Sequence, residues 1–266
     1  MTATTLPPPA PSAPRSTPER LGVVLVHGMR QHGRTWAAQE KHLTDAGHRV
    51  VPVDLPGHGA RLSQRFTLEG AYDVVDEAVA TFPTGMPVVL VGQSLGGYVC
   101  LGWAARHGRA DDPGTRLVGV VASGCSTDPR GKPVAAYGSV ADAVARAAAA
   151  VRRRLVGRAQ VPVPAGTPET SGTSASVQRP GWDLVTDALG QLAGRSALTD
   201  LAAVRAPVYL VNGSRCHLRW QQQRYLRTGQ RCALVVVPRT GHDVQLDAPD
   251  VYNRILSRAL DEFSRA

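Results

Sequence analysis

From Leu21 onward, short and continuously apolar runs alternate with longer amphipathic segments. The runs Leu21–Val26, Arg49–Val53, Pro87–Val91, Leu117–Ala122, Val208–Val211 and Ala233–Val237 read as buried strands. Thr35–Asp45, Leu68–Phe82, Leu95–His107 and Val251–Phe263 read as helices. Gly47 stops the first of them, at the position where a left-handed cap costs glycine little. Apolar strands alternating with helices predict a parallel sheet covered on both faces. Right-handed crossovers then limit the topology tightly. The pattern predicts an α/β fold with about six mainly parallel strands.

The rhythm breaks between 128 and 200, where no clear strand is found. Ser139–Leu155 reads as an Ala-rich helix ending in Arg152-Arg153-Arg154, where positive charge suits a solvated helix C-terminus. Gln160–Gly181 is rich in Pro, Gly, Ser and Thr and is expected to be flexible. Trp182–Ala193 resumes as an amphipathic helix. A helical cap, or lid, at 128–200 is thus predicted between core segments 21–127 and 201–266. Residues 1–20 carry Pro7, Pro8, Pro9, Pro11, Pro14 and Pro18, with no basic start and no apolar stretch. They are expected to form a disordered leader and not a signal peptide.

Composition narrows the function classes. The 266 residues, 43% apolar and 19% charged, suffice for one large domain with a sizeable core and an insertion. No apolar run approaches the roughly 20 residues of a membrane-spanning helix. Thirty basic against 21 acidic residues give a net charge of +9. The basic residues are mostly scattered Arg, without a stripe interleaved with aromatics, so a nucleic-acid partner is not expected. Cys100, Cys125, Cys216 and Cys232 are widely spaced, as in a reduced, cytoplasmic chain. No cluster has metal-ligand spacing and no G-x-G-x-x-G opens a helix, so neither a metal nor another cofactor is expected.

Gly92-Gln93-Ser94-Leu95-Gly96 lies directly between a predicted strand and a predicted helix. G-x-S-x-G in that context describes a nucleophile elbow, a turn so sharp that its flanks must be nearly free of side chains. The bland alternative is a tight glycine turn with a passive serine. A serine hydroxyl is a weak nucleophile at neutral pH and needs a base. Chain order in such sites runs serine, acid, histidine, and Thr240-Gly241-His242 follows the last predicted strand. His242 is therefore the candidate base. His27, His48 and His58 read as hydrogen-bonded structural residues. An oxyanion needs two preorganised N–H donors. Leu95, after the nucleophile, is one candidate, and Met29, in the loop after the first strand, is the other.

These segments resemble the α/β-hydrolase superfamily over nearly the whole ordered chain. Val24-Leu-Val-His-Gly28 is similar to its oxyanion segment, and Asp54-Leu-Pro-Gly-His-Gly59 to its loop after the following strand. Gly92-Gln-Ser-Leu-Gly-Gly97 resembles its elbow and Thr240-Gly-His242 its histidine loop. The resemblance implies the α/β-hydrolase fold, with 128–200 in the place of the cap, and leaves the family's first two strands unmatched. It also implies a triad acid in a turn like Asn-Gly-x-x-Asp after the penultimate strand. Here that turn reads Asn212-Gly213-Ser214-Arg215-Cys216, with cysteine in the acid position. A thiol cannot fix the imidazole tautomer as a carboxylate does, and losing the acid can cost around 10⁴ in turnover. The family sometimes takes its acid from the end of the preceding strand, where Asp128 is the candidate. Cys216 otherwise reads as a buried, inert thiol.

Two functions are thus expected to compete. One is a serine hydrolase that cleaves a small-molecule ester, thioester or lactone through an acyl-enzyme at Ser94. The other is a non-hydrolytic relative, promoting elimination, cyclisation or isomerisation, or simply binding a ligand in the same cavity.

Overall fold

The computed structural model describes residues 20–107, 116–130 and 184–265. Six strands form one sheet: β1 Gly22–Val26, β2 Arg49–Val53, β3 Val88–Gln93, β4 Leu117–Ser123, β5 Val208–Gly213 and β6 Cys232–Val237. Every neighbouring pair is parallel, in the order β2-β1-β3-β4-β5-β6. The helices described are α1 Ala37–Asp45, α2 Leu68–Ala80, α3 Leu95–His107, α4 Leu184–Ala193, α5 Ala197–Ala203, α6 Gln222–Thr228, α7 Val244–Asp247 and α8 Pro249–Phe263.

The continuous apolar runs follow from burial on both faces. Successive strand residues point to opposite sides of a sheet. Val24 and Val26, with Leu90, Ala122 and Leu210 of neighbouring strands, pack against Val75 of α2 and Leu101 of α3. Val23 and Leu25, with Val89, Val91, Val121 and Val211, pack against Leu43 of α1 and Leu256 of α8. A polar residue at either parity would be buried, which is why none interrupts these runs.

The departures from the sequence reading are local. The helix expected from Thr35 begins as a 3-10 turn, Gly33–Trp36, before α1. Gly47 takes φ +90° past α1, as a left-handed cap requires. The short helices α5, α6 and α7 carry too few turns for an apolar stripe to show in sequence. Three strands extend beyond their apolar runs, to Gln93, Ser123 and Gly213. Gln93, Ser123 and Asn212, at those ends, are fully buried polar residues.

The expected leader lies outside the described residues, apart from its last position, as do the helix over Ser139–Leu155, the segment Gln160–Gly181 and Trp182. Among the described residues, no helix is long and apolar enough to cross a membrane.

Chain order reverses across the β1–β3 neighbours, since β2 lies on one side of β1 and β3 on the other. In an open parallel sheet, such a switch point opens a crevice at the carboxyl ends of the strands. The loops leaving β1 and β3 carry Met29 and Ser94.

Candidate active site

Ser94 sits at φ +52°, a left-handed conformation that L-residues rarely hold without cause. Its N–H donates to Ser123 O at 2.7 Å, tying the elbow to the end of β4. A Cβ on Gly92 would collide with the Gly96 carbonyl, and one on Gly96 with the Val26 carbonyl at the end of β1. Both glycines are therefore required by close backbone approach. Leu95 opens α3, whose first-turn N–H groups have no acceptor within the helix.

The loop after β1 is held by two histidines. The ring of His27 donates from Nδ1 to Gly28 O at 2.7 Å and accepts at Nε2 from Leu55 N at 3.1 Å. His58 packs edge-on at 4.7 Å, donates from Nδ1 to Pro56 O and accepts from Arg30 N at Nε2. A carbonyl can only accept and an N–H can only donate, so both tautomers are determined. Burial, followed by the neighbouring His58, pushes the His27 pKa down to about 4. The structural role expected for His27 and His58 is what the geometry shows.

Met29, Ser94 and Leu95 line one cavity of about 180 Å³ together with Tyr98, Leu189, Leu192 and Leu218. The walls from α4 are apolar. Polar groups enter from Thr127, Asp128 and His217. The Thr127 hydroxyl is buried and finds no hydrogen-bond partner among the described residues.

His242 follows β6 and reaches back across the sheet, its ring lying 3.1 Å from where a Cβ on Gly124 would stand. Gly124 adjoins Ser123, the residue that accepts from Ser94 N. Nδ1 of His242 lies 3.2 Å from Cys216 Sγ, in the position where a triad acid would stand. Among the described residues Nε2 has no hydrogen-bond partner, leaving the outer nitrogen available to a serine hydroxyl or substrate. Burial, then the His217 ring 4.6 Å away, pushes the His242 pKa down to about 4. Asp243 and, more weakly, Asp247 oppose that shift. Burial raises the Cys216 thiol pKa, although Leu218 N donates to its sulfur at 3.4 Å. A thiol above its ordinary value is neutral at pH 7 and supplies no negative charge.

Asp128 lies elsewhere in the site. Its carboxylate accepts from Ser196 Oγ at 2.9 Å and from Ala197 N at 3.0 Å, at the start of α5. Its backbone N donates to Gln221 Oε1. Asp128 thus fastens α5 beside the cavity, while the hydrogen bond to His242 comes from Cys216. The candidate acid read from sequence stands several residues past β4 and spends its carboxylate on the start of α5, with no hydrogen bond to His242 among the described residues.

Sequence reasoning missed Asp243, His217 and Thr127. Asp243 Oδ1 accepts from Gln93 Nε2 at 2.8 Å and from Gln31 Nε2 at 3.0 Å. Its only sequence signal was adjacency to His242. Among the described residues, no group of three or more His, Cys, Asp or Glu is arranged to hold a metal ion.

A model described as the alpha/beta hydrolase family matches residues 23–255. The chain belongs to that family. Among its curated relatives, the pimeloyl-[acyl-carrier protein] methyl ester esterase of Chromobacterium violaceum is 41% identical over 86 residues, 32% of each chain. Norfluorocurarine synthase 1 of Strychnos sp is 36% identical over 78 residues, 28% of this chain and 29% of that one. The matched stretch therefore spans about a third of these relatives. Among solved structures, a thermophilic esterase from Thermogutta terrifontis shares the fold with a TM-score of 0.65, covering 92% of this alpha/beta hydrolase and 91% of that chain at 22% identity.

Proposed function

We propose that this alpha/beta hydrolase cleaves a carboxylic ester with a small apolar acyl group, through an acyl-enzyme on Ser94. The carrying observation is Ser94 itself, held at φ +52° in a cavity it shares with Met29 and Leu95. In this reading Ser94 Oγ attacks the ester carbonyl while its proton passes to His242 Nε2. The N–H groups of Met29 and Leu95 hold the oxyanion, and His242 returns the proton to the departing alcohol. Water then repeats the sequence on the acyl-enzyme and releases the acid. The apolar α4 wall favours an apolar acyl chain, and the esterase name of the Chromobacterium relative supports an ester over other acyl derivatives.

Labelling by a fluorophosphonate, compared with Ser94→Ala, tests this reading. Stoichiometric labelling of the parent, and loss of ester turnover by about 10³-fold or more in the variant with an unchanged Tm, are expected. Turnover near the parent level in Ser94→Ala would sink it.

One observation favours a second reading. The group on His242 Nδ1 is a neutral thiol and not a carboxylate. A base so weakly supported suits elimination, cyclisation or isomerisation, and one relative is named as a synthase. A folded parent that resists the fluorophosphonate would favour this alternative.

The segment 128–200 is the cap in this reading. The part of it in α4 contributes Val185, Leu189 and Leu192 to the cavity. An Arg65–Asp187 ion pair at 2.7 Å joins α4 to the loop before α2.

A further inference from the structure

We propose that Asp243 is a positioning residue, whose one carboxylate oxygen ties together the oxyanion loop, the elbow and the histidine loop, and whose charge serves the role left vacant at Cys216. The inference rests on the serine-hydrolase reading above and adds to it the group that compensates for the missing acid.

The geometry is specific. Asp243 Oδ1 takes two amide donors that are far apart in sequence, Gln93 Nε2 at 2.8 Å and Gln31 Nε2 at 3.0 Å. A carboxylate only accepts, so both glutamine amides must turn their nitrogens toward it. Gln31 then presents its own Oε1 to Gly28 N, at 3.2 Å. That peptide immediately precedes Met29, one of the two oxyanion donors. Gln93 is the elbow residue before Ser94 and is fully buried. Its Oε1 has no partner among the described residues and lies where a Cβ on Gly28 would collide with it. Its Nε2 bond to Asp243 therefore holds an amide that also presses on the oxyanion loop. The position of one carboxylate is transmitted to the nucleophile on one side and to an oxyanion donor on the other.

The charge matters for a separate reason. During acyl transfer His242 becomes an imidazolium, which a triad carboxylate would normally stabilise. Among the described residues, the groups around His242 are Cys216 and His217 from the loop after β5, the Gly124 backbone after β4, and Asp243 and Asp247 from its own segment. Cys216 is neutral and His217 acts against a second positive charge. Asp243 is the stronger of the two carboxylates that favour the protonated ring. The work of one triad acid is divided in this proposal: Cys216 meets Nδ1, while the carboxylate next in the chain to His242, fixed by the Gln93 and Gln31 amides, supplies the charge.

Asp243→Asn separates the two roles, because an amide oxygen can still accept from both glutamines while the charge is gone. We expect an unchanged Tm, a kcat lowered about tenfold or more and KM within about threefold. The acid limb of kcat/KM, and the His242 ring titration followed by NMR, should both move to lower pH. Asp243→Ala also releases the clamp and should cost more. A carboxylate restored by Cys216→Asp should make Asp243→Asn nearly silent, since two residues sharing one task couple in a double-mutant cycle. A merely structural Asp243 would cost the same in both backgrounds, with no movement of the titration, and that result overturns the proposal. Fluorophosphonate labelling of the parent is run beside it. Failure to label refutes the hydrolase reading, whereas the NMR titration judges Asp243 without any turnover.

Discussion

Two pairs of histidines stand at the carboxyl end of this sheet, His27 with His58 and His242 with His217, at ring separations of 4.7 Å and 4.6 Å. Burial is the first cause of a pKa near 4 in both His27 and His242. His27 is fully buried and His242 only partly so, yet both rings are pushed the same way. The partners separate them. Both nitrogens of His27 are taken by backbone groups that fix its tautomer and leave it nothing to exchange. His242 has a thiol on one side, and no hydrogen-bond partner for the other nitrogen among the described residues. A perturbed pKa therefore does not distinguish the two imidazoles; the partners of their ring nitrogens do.

The strongest way to break this comparison is to remove each ring. His242→Ala should lower ester turnover by about 10³-fold or more while leaving the Tm nearly unchanged. His27→Ala should do the reverse. It strands the buried Leu55 N–H, a loss of roughly 1–3 kcal/mol that thermal unfolding would show, with turnover per folded molecule within about tenfold of the parent. Equal catalytic losses from the two substitutions would dissolve the distinction.

A smaller effect sharpens it. Giving His242 an acceptor-only partner, as His27 already has in Gly28 O, should favour the productive tautomer. Cys216→Asp is thus expected to raise ester hydrolysis, in kcat more than in KM, because the added interaction acts in the transition state. Asp128→Asn should leave kcat within about threefold and the Tm nearly unchanged, because an amide oxygen can still accept from Ala197 N. A large fall in kcat with Asp128→Asn would restore Asp128 as the acid.

The smallest effect is on pH. Both rings titrate near 4 when folded and near 6.5 when unfolded. Between those values the unfolded chain binds more protons, so stability is complete above about pH 6.5 and falls as the pH drops toward 4. His27→Ala and His242→Ala should each flatten that slope in urea titrations at a series of pH values. In the activity profile of the two variants, by contrast, only the His27 variant should retain the acid limb set by His242. A slope unchanged in both variants would place the acid sensitivity elsewhere.

Much of the architecture is legible in the sequence. Strands buried on both faces leave apolar runs without a polar gap, and the elbow announces itself because only glycine tolerates the approach of Gly96 to Val26 O. Ser94, His242, Met29 and Leu95 stand out as candidates through such local constraints, since each is placed by its distance from the end of one strand. Short helices such as α6 escaped because two turns carry no readable period. The polar ends of β3, β4 and β5 escaped because Gln93, Ser123 and Asn212 look like loop residues until the sheet buries them.

What tertiary structure alone decided is which side chains meet. Sequence marks position 216 as unusual, yet only packing brings Cys216 to 3.2 Å from His242 and sends Asp128 to the start of α5. Gln31 and Asp243 come from two loops and Gln93 from the end of β3, with no shared motif. Backbone conformation is governed by neighbours along the chain, so residue type and spacing can disclose it. A hydrogen bond between segments separated by 150 or 212 residues depends on how the whole sheet aligns its strand ends, and no local pattern encodes that.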